Sequence, residues 1–416
     1  MLQPILLILL FMFVVSACVQ KNQQENDASS AENYPEGTFG YDLNFLKKYQ
    51  DDLVVLASDD SSAQVIVSPA YQARVMTSTA SGMQGKSFGW INHELIAQQE
   101  FTEHMNAFGG EDRFWMGPEG GQYSIFFQPE TEFTFDNWHT PAPLDTEPFE
   151  MVGRSENKAN FAKSFDLLNY SGNTLKVKVN RTVTLLDKNQ LADSLGVAPL
   201  DEVEVVAFSS ANSITNAGDA PWTKENGLVS IWILGMFQPS PATTIVIPFE
   251  KEIANNALPV LNDAYFGKVP EDRLVIQDSV IYFKGDGKYR SKIGLLSQRA
   301  KPILGSYDAQ NQVLTIVKYT LPSDNTDYVN SMWELQEAPF GGDAVNSYND
   351  GPLEDGSQMG PFYELESSSP AAALAPGETL VHVHTTFHFS GSEDALSNIA
   401  RQVLGVDIAT IQSVWQ

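Results

Sequence analysis

The densest chemistry in the chain lies near its C-terminal end, at Tyr363-Glu364-Leu365-Glu366. In a strand, side chains alternate between faces, so Glu364 and Glu366 share one face roughly 7 Å apart while Leu365 turns into the core. Two carboxylates on one surface suit acid–base work, in which one group removes a proton and another returns one. The competing description is a pair of solvated or structurally hydrogen-bonded acids. Residues 380–389 carry a second pattern: His382, His384, Thr386 and His388 fall on one face, and Val381, Val383, Thr385, Phe387 and Phe389 on the other. A His-x-His pair can grip a divalent metal, here at His382 and His384, or a histidine such as His384 can supply an acid proton. The plain alternative is a half-exposed strand face. Spacing signals no third ligand, so no metal site is assigned.

A glycine-rich segment supplies Glu111, Arg113, Trp115 and Glu119. Pro118 has no ladder donor, so this stretch is expected at a loop or strand rim. Arg113 offers a planar fork to hydroxyls or to a uronate carboxylate, and Trp115 a flat apolar face for a pyranose. An Arg-Glu ion pair beneath a core tryptophan explains the same residues. Trp90 and His93, just upstream, invite both readings. Residues 340–356 read as a polar loop whose Asp343, Asn346, Tyr348, Asn349, Asp350 and Asp355 could hold Ca²⁺ or a ligand. The regular ligand spacing of an EF-hand is missing from it.

The elements that must position these residues are mostly strands. Period-two alternation recurs at residues 64–67, 73–77, 121–127, 174–186, 202–208, 228–234, 280–283, 313–319 and 380–389. Helical periodicity is confined to short pieces near 43–49, 188–195, 251–257 and 394–404, the last with a serine cap expected between Ser390 and Ser392. No repeat of 20 to 50 residues is visible, which argues against a propeller or solenoid. Residues 40–416 are therefore expected to form a single domain of stacked sheets.

The N-terminal end has another role. Residues 5–15 form an unbroken apolar run too short to span a bilayer, followed by Val15-Ser16-Ala17-Cys18. That order resembles a lipobox, so residues 1–17 are expected to be a lipoprotein signal peptide and Cys18 the lipidation site. Residues 18–39, rich in Gln, Asn, Ser, Asp and Glu, are then a disordered tether. The expected address is the cell envelope, lipid-anchored to a bacterial membrane, periplasmic or surface-exposed. Cys18 is the only cysteine, which removes disulfides, a cysteine nucleophile and thiolate metal sites from the folded body. With 25 basic against 52 acidic residues and a formal charge of -27, binding to nucleic acid is not expected.

Three blocks together resemble the galactose mutarotase-like superfamily. They are Gly109 to Tyr123, preceded by Phe88-Gly-Trp-Ile-Asn-His93; Lys292-Ile-Gly with the strand pair ending near Tyr319; and Gly360 to Pro370 with Leu374-Ala-Pro-Gly-Glu378 and the histidine strand. The resemblance implies a mostly β supersandwich with a few short helices, whose concave face binds a carbohydrate. It implies aldose 1-epimerase-like isomerase chemistry, with Glu364 or Glu366 as base and His384 as acid. His93, Glu111, Arg113, Trp115, Glu119, Lys292, Trp333, Asn346 and Tyr348 make up the expected substrate-binding set. No cofactor is required, with a divalent metal at His382/His384 or calcium at the loop of Asp343 and Asp355 as alternatives. The rival functions are a non-catalytic glycan-binding lipoprotein and a polysaccharide lyase or hydrolase on a related fold.

Overall fold

The computed structural model describes residues 33–416 apart from 198, 199, 201, 255 and 256. The expected signal peptide and Cys18 lie outside the described residues, as does most of the expected tether. By Thr38, whose hydroxyl caps helix Phe39–Leu46, the chain is already packed.

Alternation along the sequence translates into antiparallel sheets. Strand Thr174–Leu185 shows the rule: Leu175, Val177, Val179 and Val183 are buried while Lys176 and Lys178 are exposed. It belongs to a ten-stranded antiparallel sheet whose centre is strand Thr379–Gly391, paired on one side with Val313–Tyr319 and on the other with Val203–Asn216. A five-stranded sheet lies over it in the order Ser291–Leu296, Asp343–Asn349, Tyr363–Ser368, Ser230–Phe237 and Arg113–Gly117. Leu365, Val345 and Ile293 from the small sheet meet Ile245, Leu304 and Val317 from the large one in a shared core. A three-stranded sheet, Val54–Ala57, Gln64–Ser68 and Arg74–Thr79, sits at the N-terminal side with helices Phe39–Leu46 and His93–Gln98 packed on it.

The other face of the large sheet is closed by helices. Ser392 accepts a bond from Ala395 N and starts helix Glu393–Val403, whose Leu396, Ile399 and Ala400 pack on Phe387 and Phe389 together with helix Ile408–Ser413. Helix Lys188–Leu195 has the bounds its periodicity predicts, with Asp187 and Gln190 closing a capping box.

Three expected elements are corrected. Residues 121–127 form turns: Gly121 has a φ of 81°, and Ser124 bonds the backbone at Glu119 and Phe126, so no ladder forms. The adjacent Phe126 and Phe127 are buried all the same, Phe126 stacking on Trp138 and Phe127 packing edge-on against Trp333. The expected helix at 251–257 is absent among the described residues, because Arg299 draws the carbonyls of Glu250, Lys251 and Leu258 to its guanidinium. The polar loop at 340–356 contains an interior strand, Asp343–Asn349. Its composition hides the strand because, beside Val345 in the core, the inward-facing residues are polar and find partners: Ser347 Oγ donates to Glu364 O, and Asn349 Oδ1 accepts from Gly287 N.

Candidate functional site

The site is assembled on the face of the five-stranded sheet that points away from the large sheet. Register places Asn346 opposite Glu366, Tyr348 opposite both Glu364 and Lys292, Ser368 opposite Trp232, and Trp115 opposite Trp232. Period-two alternation therefore gathers Arg113, Trp115, Trp232, Lys292, Asn346, Glu364 and Glu366 on one surface. A small polar cavity opens there, walled by Trp232, Tyr265, Lys292, Asp343 and Asn346, with Ser230, Ser331 and Ser368 contributing hydroxyls. Gly294 makes room for it, since a Cβ at that position would lie 2.1 Å from Asp343 Oδ2 and 2.5 Å from Asn346 Nδ2.

Each of the two cations on this face is committed to a carboxylate and a ring. Lys292 Nζ donates to Glu366 Oε2 at 3.0 Å and lies 4.6 Å from the Trp232 ring centre. Trp232 Nε1 donates to the same oxygen at 2.9 Å, while Glu366 Oε1, also buried, has no partner. Arg113 Nη2 donates to Glu364 Oε1 at 3.1 Å, and its guanidinium stacks 4.1 Å from the Trp115 ring centre. Asp343 has no cation on it: Tyr265 Oη and Asn262 Nδ2 both donate to Oδ2, at 2.7 and 3.3 Å. Burial, opposed by those bonds and by Lys292, raises the Asp343 carboxyl to about 6. Burial raises Glu364 to about 8 against the pull of Arg113, and it also raises Glu119, which accepts from Trp333 Nε1 at 3.2 Å. A carboxyl near 6 beside fixed hydroxyls and amides can exchange a proton with a polyhydroxylated ligand at neutral pH.

A sequence profile matches residues 37–415, nearly the whole folded body. The chain belongs to the family of unknown function DUF6786. No curated protein matches the sequence. Among solved structures, this DUF6786 chain is similar to the Slr1438 protein of Synechocystis sp. PCC 6803, at 13% identity and a TM-score of 0.48, over 82% of this chain and 96% of that one. It is similar to a galactose mutarotase-like protein from Lactobacillus casei ATCC 334, at 8% identity and a TM-score of 0.48, over 81% and 99%. A galactose mutarotase related enzyme from Lactobacillus acidophilus shares 11% identity at a TM-score of 0.43, over 82% and 98%.

Not every expected site residue of the DUF6786 chain reaches the cavity. Lys292 and Asn346 line it, and Glu366, Glu364, Arg113 and Trp115 share its sheet face. Glu119 and Trp333 bond each other at its edge, where Ser331 Oγ accepts from Glu119 N. Tyr348 shares the face but is sealed under Trp90 and Phe362, its hydroxyl donating to Asp350. His93 lies on the helix beside the three-stranded sheet, 2.7 Å from Asp42 and packed on Phe45. Glu111 and His384 lie between the two large sheets. Glu111 bonds His388 Nε2 at 2.7 Å, and His384 Nδ1 shares Ser367 Oγ with His382 Nε2 at 2.9 and 2.8 Å. Burial lowers both imidazoles, His382 to about 3 and His384 to about 4, so they are neutral at physiological pH. No group of three or more His, Cys, Asp or Glu among the described residues could hold a metal ion. Asp355 lies on an exposed turn beyond the strand, bonded to Ser357.

Sequence reasoning missed Trp232, Tyr265 and Ser230, and it read Asp343 only as a loop ligand. The run 228–234 is apolar throughout apart from Ser230, so its two faces look alike, although alternation puts Ser230 and Trp232 together. Tyr265 lies outside any periodic segment and carried no signal.

Proposed function

We propose that the cavity binds a monosaccharide and that the protein interconverts the anomers of that sugar. The supporting observation is the cavity wall, in which one carboxyl poised near neutrality, Asp343, stands among indole, phenol, amide and hydroxyl groups. Trp232 supplies the flat apolar surface for the ring's C–H side, and Asn346, Ser230, Ser331 and Ser368 supply directional partners for its hydroxyls.

Anomer interconversion needs a proton removed from the anomeric hydroxyl and another delivered to the ring oxygen. The bond from anomeric carbon to ring oxygen then breaks, the open aldehyde rotates, and closure reverses both transfers. In this reading protonated Asp343 is the donor, steadied by Tyr265. Glu366 is the acceptor, fixed through Oε2 by Lys292 and Trp232 so that Oε1 is free for the sugar. Arg113 and Glu364 brace the neighbouring row and keep Trp115 in place. His384 lies between the sheets, bonded to Ser367, so this reading assigns the proton to Asp343.

Polarimetric relaxation of freshly dissolved aldoses tests the reading. Wild type accelerates relaxation of at least one sugar, while Asp343→Asn and Glu366→Gln each lose most of the acceleration, roughly a hundredfold by the usual worth of a positioned acid or base. Measurable sugar affinity without acceleration across a broad panel favours the non-catalytic glycan-binding function instead. Absence of both overturns the proposal.

The protein's address is also proposed: the mature chain is held at the bacterial envelope by lipid on Cys18. The support is the order of the apolar run, the small residues and the cysteine. Growth with labelled fatty acid should label the wild-type chain and leave Cys18→Ala unlabelled. Equal labelling of both would contradict it.

A further inference from the structure

The charge balance around the cavity narrows the sugar class, an inference that rests on the monosaccharide reading above. Four carboxyl groups, Glu119, Asp343, Glu364 and Glu366, lie within electrostatic reach of Lys292, and burial favours the neutral form of Glu119 and Glu364. Only two cations, Lys292 and Arg113, stand among them, and each is already bonded to a carboxylate and stacked on an indole. The next cation along the face, Arg290, donates to the Tyr348 hydroxyl beside Asp350 and stacks on Phe266, away from the cavity wall. A uronate or sugar phosphate would therefore enter a site that offers it no free cation.

A positively charged sugar meets the opposite conditions. Asp343 lines the cavity, is 7% exposed, and receives both of its donors on Oδ2, which leaves Oδ1 as the oxygen available to a ligand. Its two donors, both on Oδ2, are a phenol and an amide, neither of which neutralises a buried carboxylate. Independently, Ser230 lines the same cavity, is 1% exposed, and its Oγ has no hydrogen-bond partner. A buried hydroxyl left unpartnered in a cavity wall is a group waiting for a polar ligand. We infer that the preferred ligand is an amino sugar, whose ammonium pairs with ionised Asp343 Oδ1, so that in this complex the ammonium carries the proton that Asp343 holds with a neutral sugar, and whose hydroxyl bonds Ser230 Oγ.

Calorimetric titration of the full chain at neutral pH with glucosamine, glucose, N-acetylglucosamine and glucuronate tests this. Glucosamine should bind about tenfold tighter than glucose or its acetylated form, the size expected of one charge-assisted bond, and glucuronate weakest of all. In Asp343→Asn the gap between glucosamine and glucose should close, whereas in Glu119→Gln, which removes a carboxylate with a different partner, it should persist. Glucose binding as tightly as glucosamine in wild type overturns the amino-sugar assignment and leaves the monosaccharide reading standing. No binding of any sugar overturns both. A gap that survives Asp343→Asn, or calcium alone displacing glucosamine, overturns the role given to Asp343.

Discussion

Two polar regions of this molecule use similar residues in opposite ways. Between the large sheets, Glu111 is bonded to His388 and to Ser78, Arg181 to Asp112, and Ser367 to two imidazoles, all on residues almost wholly removed from solvent. On the outer face of the five-stranded sheet, Glu366, Asp343 and Ser230 keep atoms uncommitted beside a cavity. The interior layer has the stronger sequence signature, four polar residues alternating along one strand, and three of them, His382, His384 and Thr386, also keep one buried atom without a partner, but under a second sheet and away from the cavity. Alternation says which side chains share a face. It does not say whether that face meets a ligand or a second sheet, and a group can do chemistry only where a ligand reaches it.

Substitutions can break or sharpen this contrast. The largest effect is expected at Arg181→Met, which strands Asp112 as an uncompensated buried charge and should cost about 3–5 kcal/mol in denaturant unfolding. A loss under about 1 kcal/mol would remove the interior layer from the account. The next is at Asp343→Asn, with the opposite sign. The folded carboxyl titrates near 6 against an ordinary 3.8, so its favourable contribution is complete in acid and is lost as pH rises through about 6. Removing the carboxyl should therefore stabilise the fold above pH 6 by up to the order of 3 kcal/mol, and change little in acid. Thermal unfolding across that range checks both halves of the claim; a uniform loss of stability would refute it. Glu111→Gln comes third, a loss of about 1–3 kcal/mol as the bond from His388 weakens, with sugar affinity unchanged. The smallest effect is expected at His93→Ala. Its bond to Asp42 is partly open to solvent, so the change should cost no more than about 1 kcal/mol and leave sugar binding intact.

Much of the architecture was legible in the chain. The strands at 174–185 and 313–319 and the helix at 188–195 followed from periodicity, and the mostly β character followed with them. Arg113, Lys292, Asn346, Glu364 and Glu366 were legible as residue types and do meet on one sheet face. What was hidden had physical causes. Asp343–Asn349 has polar residues on both faces, only Val345 of its inner side joining the apolar core while Ser347 and Asn349 make hydrogen bonds, and so it resembles a loop. His384 looked exposed because nothing local announces that a second sheet covers it. Tyr265 reaches the cavity from an irregular segment, where spacing carries no information.

The account rests on the outer face, rather than the histidine layer, moving the protons. Exchange spectroscopy between the α and β resonances of a sugar that binds, recorded with Asp343→Asn and with His384→Asn, compares the two directly. Retained exchange in His384→Asn with loss in Asp343→Asn is the predicted result; the reverse pattern, with both variants folded, would contradict the account.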